Sequence, residues 1–168
     1  MEFQAQRRQF FRHLSGRKSS NIRPPWSIVE ENFIEKCTGC NACVTSRPQH
    51  IIALDSHGFA SIKFSQGYCD FCALCVKQCE TGALSQQVSP IWLLKAKISN
   101  LCIEFTGTYC HICQDQCEQE AISFKPQTGG IYSPVLQQAQ CNGCGACVEN
   151  CPSLAIEMFQ LPQQESVQ

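Results

Sequence analysis

The spacing of fifteen cysteines in a chain of 168 residues limits what this polypeptide can fold into more than any other feature. They fall into four groups: Cys37, Cys40, Cys43; then Cys69, Cys72, Cys75, Cys79; then Cys102, Cys110, Cys113, Cys117; then Cys141, Cys144, Cys147, Cys151. The second group recurs as the fourth at a constant offset of 72 residues, and Gly58 with Gly130 and Leu84 with Ile156 keep that offset. The first recurs as the third at an offset of 70, which sets Cys40 against Cys110, Cys43 against Cys113 and Arg47 against Cys117. Cys37 meets Cys102 once five extra residues are admitted between Cys102 and Cys110. The chain therefore reads as a tandem duplication of a two-group unit.

Thiols at this density need an organising partner. Disulfide scaffolds belong to short secreted chains, whereas the start of this chain has no apolar core that would direct export. Arg7-Arg8 followed by Phe10-Phe11 looks superficially like a twin-arginine signal, but Arg12, His13, Ser15, Gly16, Arg17 and Lys18 follow instead of an apolar run. The expectation is a retained, flexible basic arm over residues 1–30 and a cytoplasmic protein whose thiols bind metal. The longest apolar stretch elsewhere, Ile91 to Leu94, is far too short to span a membrane.

The fourth group, CNGCGACVENCP, has the C-x2-C-x2-C-x3-C-P spacing of bacterial ferredoxins. Three thiolates at every third residue let one tight loop wrap a cubane and offer each sulfur to a different iron. Zinc sites use paired C-x-x-C units instead. In ferredoxins the fourth cysteine of each run crosses to the other cluster. That rule predicts cluster one on Cys37, Cys40, Cys43 and Cys79, and cluster two on Cys69, Cys72, Cys75 and position 47. It predicts cluster three on Cys102, Cys110, Cys113 and Cys151, and cluster four on Cys141, Cys144, Cys147 and Cys117. Four cubanes need one thiolate more than the chain has, and the vacant ligand position is Arg47, which has no lone pair to give iron. Three or four [4Fe-4S] clusters are expected. The doubtful one is open to three readings: a [3Fe-4S] centre, a labile cubane with another ligand, or an absent cluster over which Arg47 simply covers the loop.

Short apolar alternations at Phe59–Phe64 and Ile131–Val135 predict small strands, and an apolar pair follows each fourth position about one helical turn later. The expected fold is α+β: two tandem bacterial-ferredoxin-like modules of short hairpins and brief helices around the clusters, at residues 31–84 and 101–160. A linker at 85–100 and a tail at 161–168 complete the division. Beyond residue 23 there are 7 Lys and Arg against 13 Asp and Glu, which argues against nucleic-acid binding by this part. His111 reads as a spacer, and Trp26 and Trp92 as packing anchors. With no phosphate loop, nucleotide fingerprint or nucleophile–base pair, no enzyme active site is expected.

Several segments together resemble the NapF family of ferredoxin-type proteins that accompany the bacterial periplasmic nitrate reductase. These are QRRQFFRHLSGR, NIRPPWS at Asn21–Ser27, the C-x7-C-x2-C-x3-C spacing from Cys102, GIYSP at Gly130–Pro134, and the closing CNGCGACVENCP. The resemblance implies a cytoplasmic [4Fe-4S] protein that contacts the precursor of the molybdenum-containing catalytic subunit and helps assemble or reduce its centres before export. A general electron carrier is the other reading. The chain departs from the family at Arg47, where the family pattern has cysteine.

Overall fold

The computed structural model describes residues 21–46, 50–87 and 92–161. Arg47, the basic stretch 1–20 and the end beyond Leu161 lie outside them. The elements are small: helices α1 (Glu30–Lys36), α2 (Ala42–Thr45), α3 (Leu74–Lys77), α4 (Ile112–Asp115) and α5 (Ala146–Glu149), a 3-10 turn at Ile103–Thr106, and six strands. The strands are β1 (Ile52–Leu54), β2 (Ala60–Ile62), β3 (Leu94–Ile98), β4 (Ile122–Pro126), β5 (Tyr132–Leu136) and β6 (Ile156–Gln160). Short helices and two-stranded hairpins make this an α+β fold.

The cysteine loops dictate the four-residue helices. Each carries the third cysteine of its group: Cys43 on α2, Cys75 on α3, Cys113 on α4 and Cys147 on α5. Three of them are entered through a left-handed residue, namely Asn41 (φ 65°), Ala73 (φ 58°) and Gly145 (φ 83°). That reversal turns the loop back on itself between the second and third cysteines. At Gly145 a side chain is also excluded sterically, since a Cβ would lie 2.0 Å from Cδ1 of Phe64.

Three antiparallel pairs complete the fold: β1 with β2 (Ile52 opposite Ile62), β4 with β5 (Ile122 opposite Leu136) and β3 with β6 (Ile98 opposite Ile156). The apolar pairs expected after each fourth cysteine position, Ile51-Ile52, Ala83-Leu84, Ala121-Ile122 and Ala155-Ile156, are all buried. Three of them open strands, and the fourth forms a single bridge between Ser27 and Leu84. That bridge occupies the place that β3 and β6 fill in the second half, because Leu84 is the repeat partner of Ile156. Leu94–Ile98, inside the stretch read as a linker, is thus a strand rather than an open connection.

The first half has the larger core, with Trp26, Phe33, Ile51, Phe59 and Leu84 buried together, while the second relies on Ala96, Ile122, Ile156 and the sulfurs of Cys113 and Cys147. Arg23 clasps the first half shut. Its guanidinium lies over Phe33 and Phe59 and bridges Glu30 and the buried Asp55, each at 2.8 Å. Burial works against the charge on Arg23, but the two carboxylates more than offset it and hold it protonated. Burial likewise raises the Asp55 carboxyl, yet the Phe59 N–H, the Arg23 guanidinium and the His57 N–H together hold it below the ordinary range.

Among the described residues, the contacts between the two halves include aromatic packing and a backbone bond. Phe64 and Phe71 pack edge-on against Trp92, whose Nε1 donates to the Arg23 carbonyl at 3.0 Å. The Cys69 N–H donates to the Cys144 carbonyl at 2.9 Å, so a ligand loop of one half leans directly on a ligand loop of the other.

Candidate metal centres

The fold brings cysteines of different groups together. A cavity is walled by Cys37, Cys40 and Cys43 of the first group and Cys79 of the second, with Phe33, Leu54 and Leu84 behind them. A second is walled by Cys141, Cys144 and Cys147 of the fourth group and Cys117 of the third, with Ile122, Leu136 and Met158 behind. Cys102, Cys110 and Cys151 surround Cys113 closely enough for their charges to act on it. In all three places the fourth cysteine of one run sits with the first three of another. Cys69 and Cys75 are buried, and Cys75 lies near enough to Cys43 to influence it electrostatically. Arg47, the repeat partner of Cys117, is outside the described residues, so this set is described through Cys69, Cys72 and Cys75.

Electrostatics show why such sets need a cationic partner. Burial first, and then the charges of neighbouring cysteines, push the thiols of Cys43, Cys113 and Cys147 up to about 12 each. Four thiolates in a half-buried cavity repel one another and cannot coexist without a compensating cationic group. At neutral pH the metal-free chain holds these three sulfurs as thiols, so loading expels protons. Among the described residues, no group of three or more His, Cys, Asp or Glu is placed to hold a single metal ion. A zinc ion would draw its thiolates to within about 4 Å of one another. The crossing of the fourth cysteine to another run is the arrangement of a ferredoxin cube, whose irons occupy separate corners.

Backbone amides aim at the crossing sulfurs. Cys79 Sγ accepts the Leu84 N–H at 3.4 Å, Cys117 Sγ the Ala121 N–H at 3.4 Å, and Cys151 Sγ the Ala155 N–H at 3.3 Å. Thr81 and Ser153 hydroxyls approach Cys79 and Cys151 at 3.6 and 3.7 Å. Burial raises the Cys79 thiol, but these donors outweigh it and bring it below the ordinary value. Donors of this kind favour electron-rich sulfur and shift a cluster's potential. The local cause is the short turn after each fourth cysteine, which returns the chain to its buried apolar pair.

The long interval between Cys102 and Cys110 is occupied by structure that spacing alone does not reveal. The 3-10 turn buries Glu104, which is 1 % exposed and whose carboxylate accepts the Cys110 N–H. His111, read as a spacer, stacks on Phe124 (4.1 Å between ring centres) and beside Tyr109 (4.4 Å), with Nε2 3.5 Å from Glu104 Oε1. The only hint in the sequence was that five extra residues between ligand positions need something to hold them.

Small hairpins, four-residue helices and crossing sets of thiols define an iron–sulfur protein of the ferredoxin type. The family model of the 4Fe-4S dicluster domain matches the chain twice, at residues 36–83 and 108–158. Similar proteins include ferredoxin-type protein NapF of Escherichia coli K12, 40% identical over 141 residues that cover 83% of this chain and 86% of the relative. NapF of Haemophilus influenzae is 37% identical over 86% of this chain and 82% of its own. The methylamine utilization ferredoxin-type protein MauM of Methylobacillus flagellatus is 29% identical over 85% of this chain and 69% of its own. The chain belongs to the NapF family of ferredoxin-type proteins. Among the described residues, no helix is long and apolar enough to cross a membrane.

Proposed function

We propose that this protein acts in the cytoplasm on the precursor of the molybdenum-containing catalytic subunit of a periplasmic nitrate reductase, helping to assemble or reduce its centres before export. Near full-length similarity to NapF carries the reading. Two tandem modules, residues 31–84 and 101–160, would hold the clusters. Cys37, Cys40, Cys43 and Cys79 form the first ligand set, and Cys102, Cys110, Cys113 and Cys151 the third. Cys117, Cys141, Cys144 and Cys147 form the fourth. The crossing thiol sets around the cavities support these assignments. Cys69, Cys72 and Cys75 form the second set, which has Arg47 where a fourth thiolate would stand. When bound, the clusters supply one-electron reduction and oxidation, while the chain supplies thiolates, amide donors and a shell that limits water.

The test is direct. The purified, iron-loaded protein should form a stable complex with the catalytic-subunit precursor, and deleting its gene should lower the active fraction of that subunit at constant abundance. The relationship to MauM, which serves a different system by its name, favours the alternative of a general electron carrier. Efficient one-electron reduction of unrelated reductases, with no complex with the precursor, would select that alternative.

Arg47→Cys should raise iron and acid-labile sulfide by about four atoms each per chain if the second set holds no stable cluster. If it holds a three-iron centre, the gain is about one iron, and the resonance signal of the oxidised protein disappears. Unchanged stoichiometry with an unchanged resonance spectrum counts against the vacancy at position 47.

A further inference from the structure

Six large hydrophobic side chains stand exposed among the described residues, and five of them gather around the third cysteine group. Leu101 (64 %), Phe105 (41 %), Tyr109 (74 %) and Ile112 (40 %) lie on its loop. Leu154 (77 %) follows Pro152, which lines the same open hollow as Ile103, Tyr109, His111, Ile112 and Asp115. Soluble proteins seldom leave contiguous apolar surface uncovered without a use for it. The sixth, Val29, stands at the start of α1, just before the first group.

Two further observations say what covers this face. The cysteine groups form a row. Group one packs on group two through α2 and α3, group two leans on group four through the Cys69–Cys144 bond, and group four packs on group three through α4 and α5. Groups one and three are therefore the two ends. The edge of the face is also acidic: the exposed Asp115 lines the hollow, the buried Glu104 lies behind it against Cys110 and His111, and no lysine or arginine occurs between Lys97 and Lys125. Such an edge repels a second copy of itself and attracts a basic one.

We infer that the face formed by Leu101, Phe105, Tyr109, Ile112 and Leu154 docks a redox protein whose apolar contact surface is ringed by lysine or arginine, making the third group the end of the row where electrons cross. One electron passes between the third centre and the one-electron acceptor or donor of the partner, one side being oxidised as the other is reduced. No bond forms or breaks. This deepens the proposed function by naming the surface used.

The test uses the full, iron-loaded chain with two probes: ferricytochrome c, a basic protein with an exposed apolar haem edge, and the purified catalytic-subunit precursor. Leu154→Lys and Asp115→Lys should each weaken low-salt binding of cytochrome c by about tenfold or more and slow its one-electron reduction. Val29→Lys, with the same change of charge as Leu154→Lys at the other end, should bind as the parent does. Iron content and the resonance spectrum verify each variant, with Phe105→Lys replacing any that loses iron. The inference is overturned if the parent fails to bind cytochrome c, if Val29→Lys weakens binding equally, or if the face variants bind normally. It is also overturned if Leu154→Lys dissociates a dimer in sedimentation while leaving cytochrome c binding intact, since the face then joins two copies. With the precursor, normal binding by the face variants overturns the inference alone. Failure of the parent to bind the precursor, with the cytochrome c pattern intact, removes the proposed function and leaves the docking face standing.

Discussion

Stripping iron from the anaerobically prepared protein with a chelator should abolish its cooperative unfolding transition and most of its amide protection, with the second half losing protection at least as completely as the first. Among the described residues, four of the five helices have four residues, well below the length at which a helix is stable by itself. All the sheets among the described residues have two strands, which are marginal in water without a packed face. The second half buries few large side chains, and two of its core members are the thiols of Cys113 and Cys147. Structural zinc in small domains is worth about 10–16 kcal/mol, as much as the whole stability of an ordinary domain at about 5–15 kcal/mol. If iron–sulfur ligation contributes on that scale, its loss leaves nothing to hold the hairpins. Circular dichroism with hydrogen exchange before and after chelation checks this. A metal-free protein with an unchanged transition would show that the polypeptide core suffices.

The second large effect concerns the crossing of ligands. Cys151→Ala should remove the centre built on Cys102, Cys110 and Cys113, although Cys151 belongs by sequence to the run that begins at Cys141. Cys151 acts on Cys113 and on Cys102, whereas the cavity of Cys141, Cys144 and Cys147 is closed by Cys117. The variant should lose about four irons per chain. Pairing substitutions identifies which four. Cys151→Ala with Cys113→Ala should lose no more than either alone, because both serve one centre. Cys151→Ala with Cys147→Ala should lose about twice as much. The reverse pattern would place each fourth cysteine on its own run.

Much of this is legible in the sequence because cluster ligation imposes strict local spacing. The third cysteine of each group, the buried apolar pairs and the strands at Ala60–Ile62 and Tyr132–Leu136 all sit within a few residues of a ligand and follow from it. What escaped depends on contacts distant in sequence. Leu94–Ile98 looks like connecting chain because its partner, Ile156–Gln160, lies about 60 residues away. Asn21–Ser27 matched a family segment, yet nothing local announces that Arg23 will be held between Glu30 and Asp55. Glu104 and His111 were similarly obscure. A glutamate within a surface 3-10 turn is ordinarily exposed, and its burial follows from the way the long third loop folds back on Cys110. The exposed cluster around Tyr109 and Leu154 joins residues 45 positions apart, so no sequence window contains it.

The measurement that bears most directly on the account is a quantitative assay of iron, acid-labile sulfide and zinc on protein purified without oxygen. Three or four clusters require about 12 to 16 irons per chain with sulfide in matching amount, and negligible zinc. A folded, colourless protein containing zinc, or no metal, and no labile sulfide would contradict it.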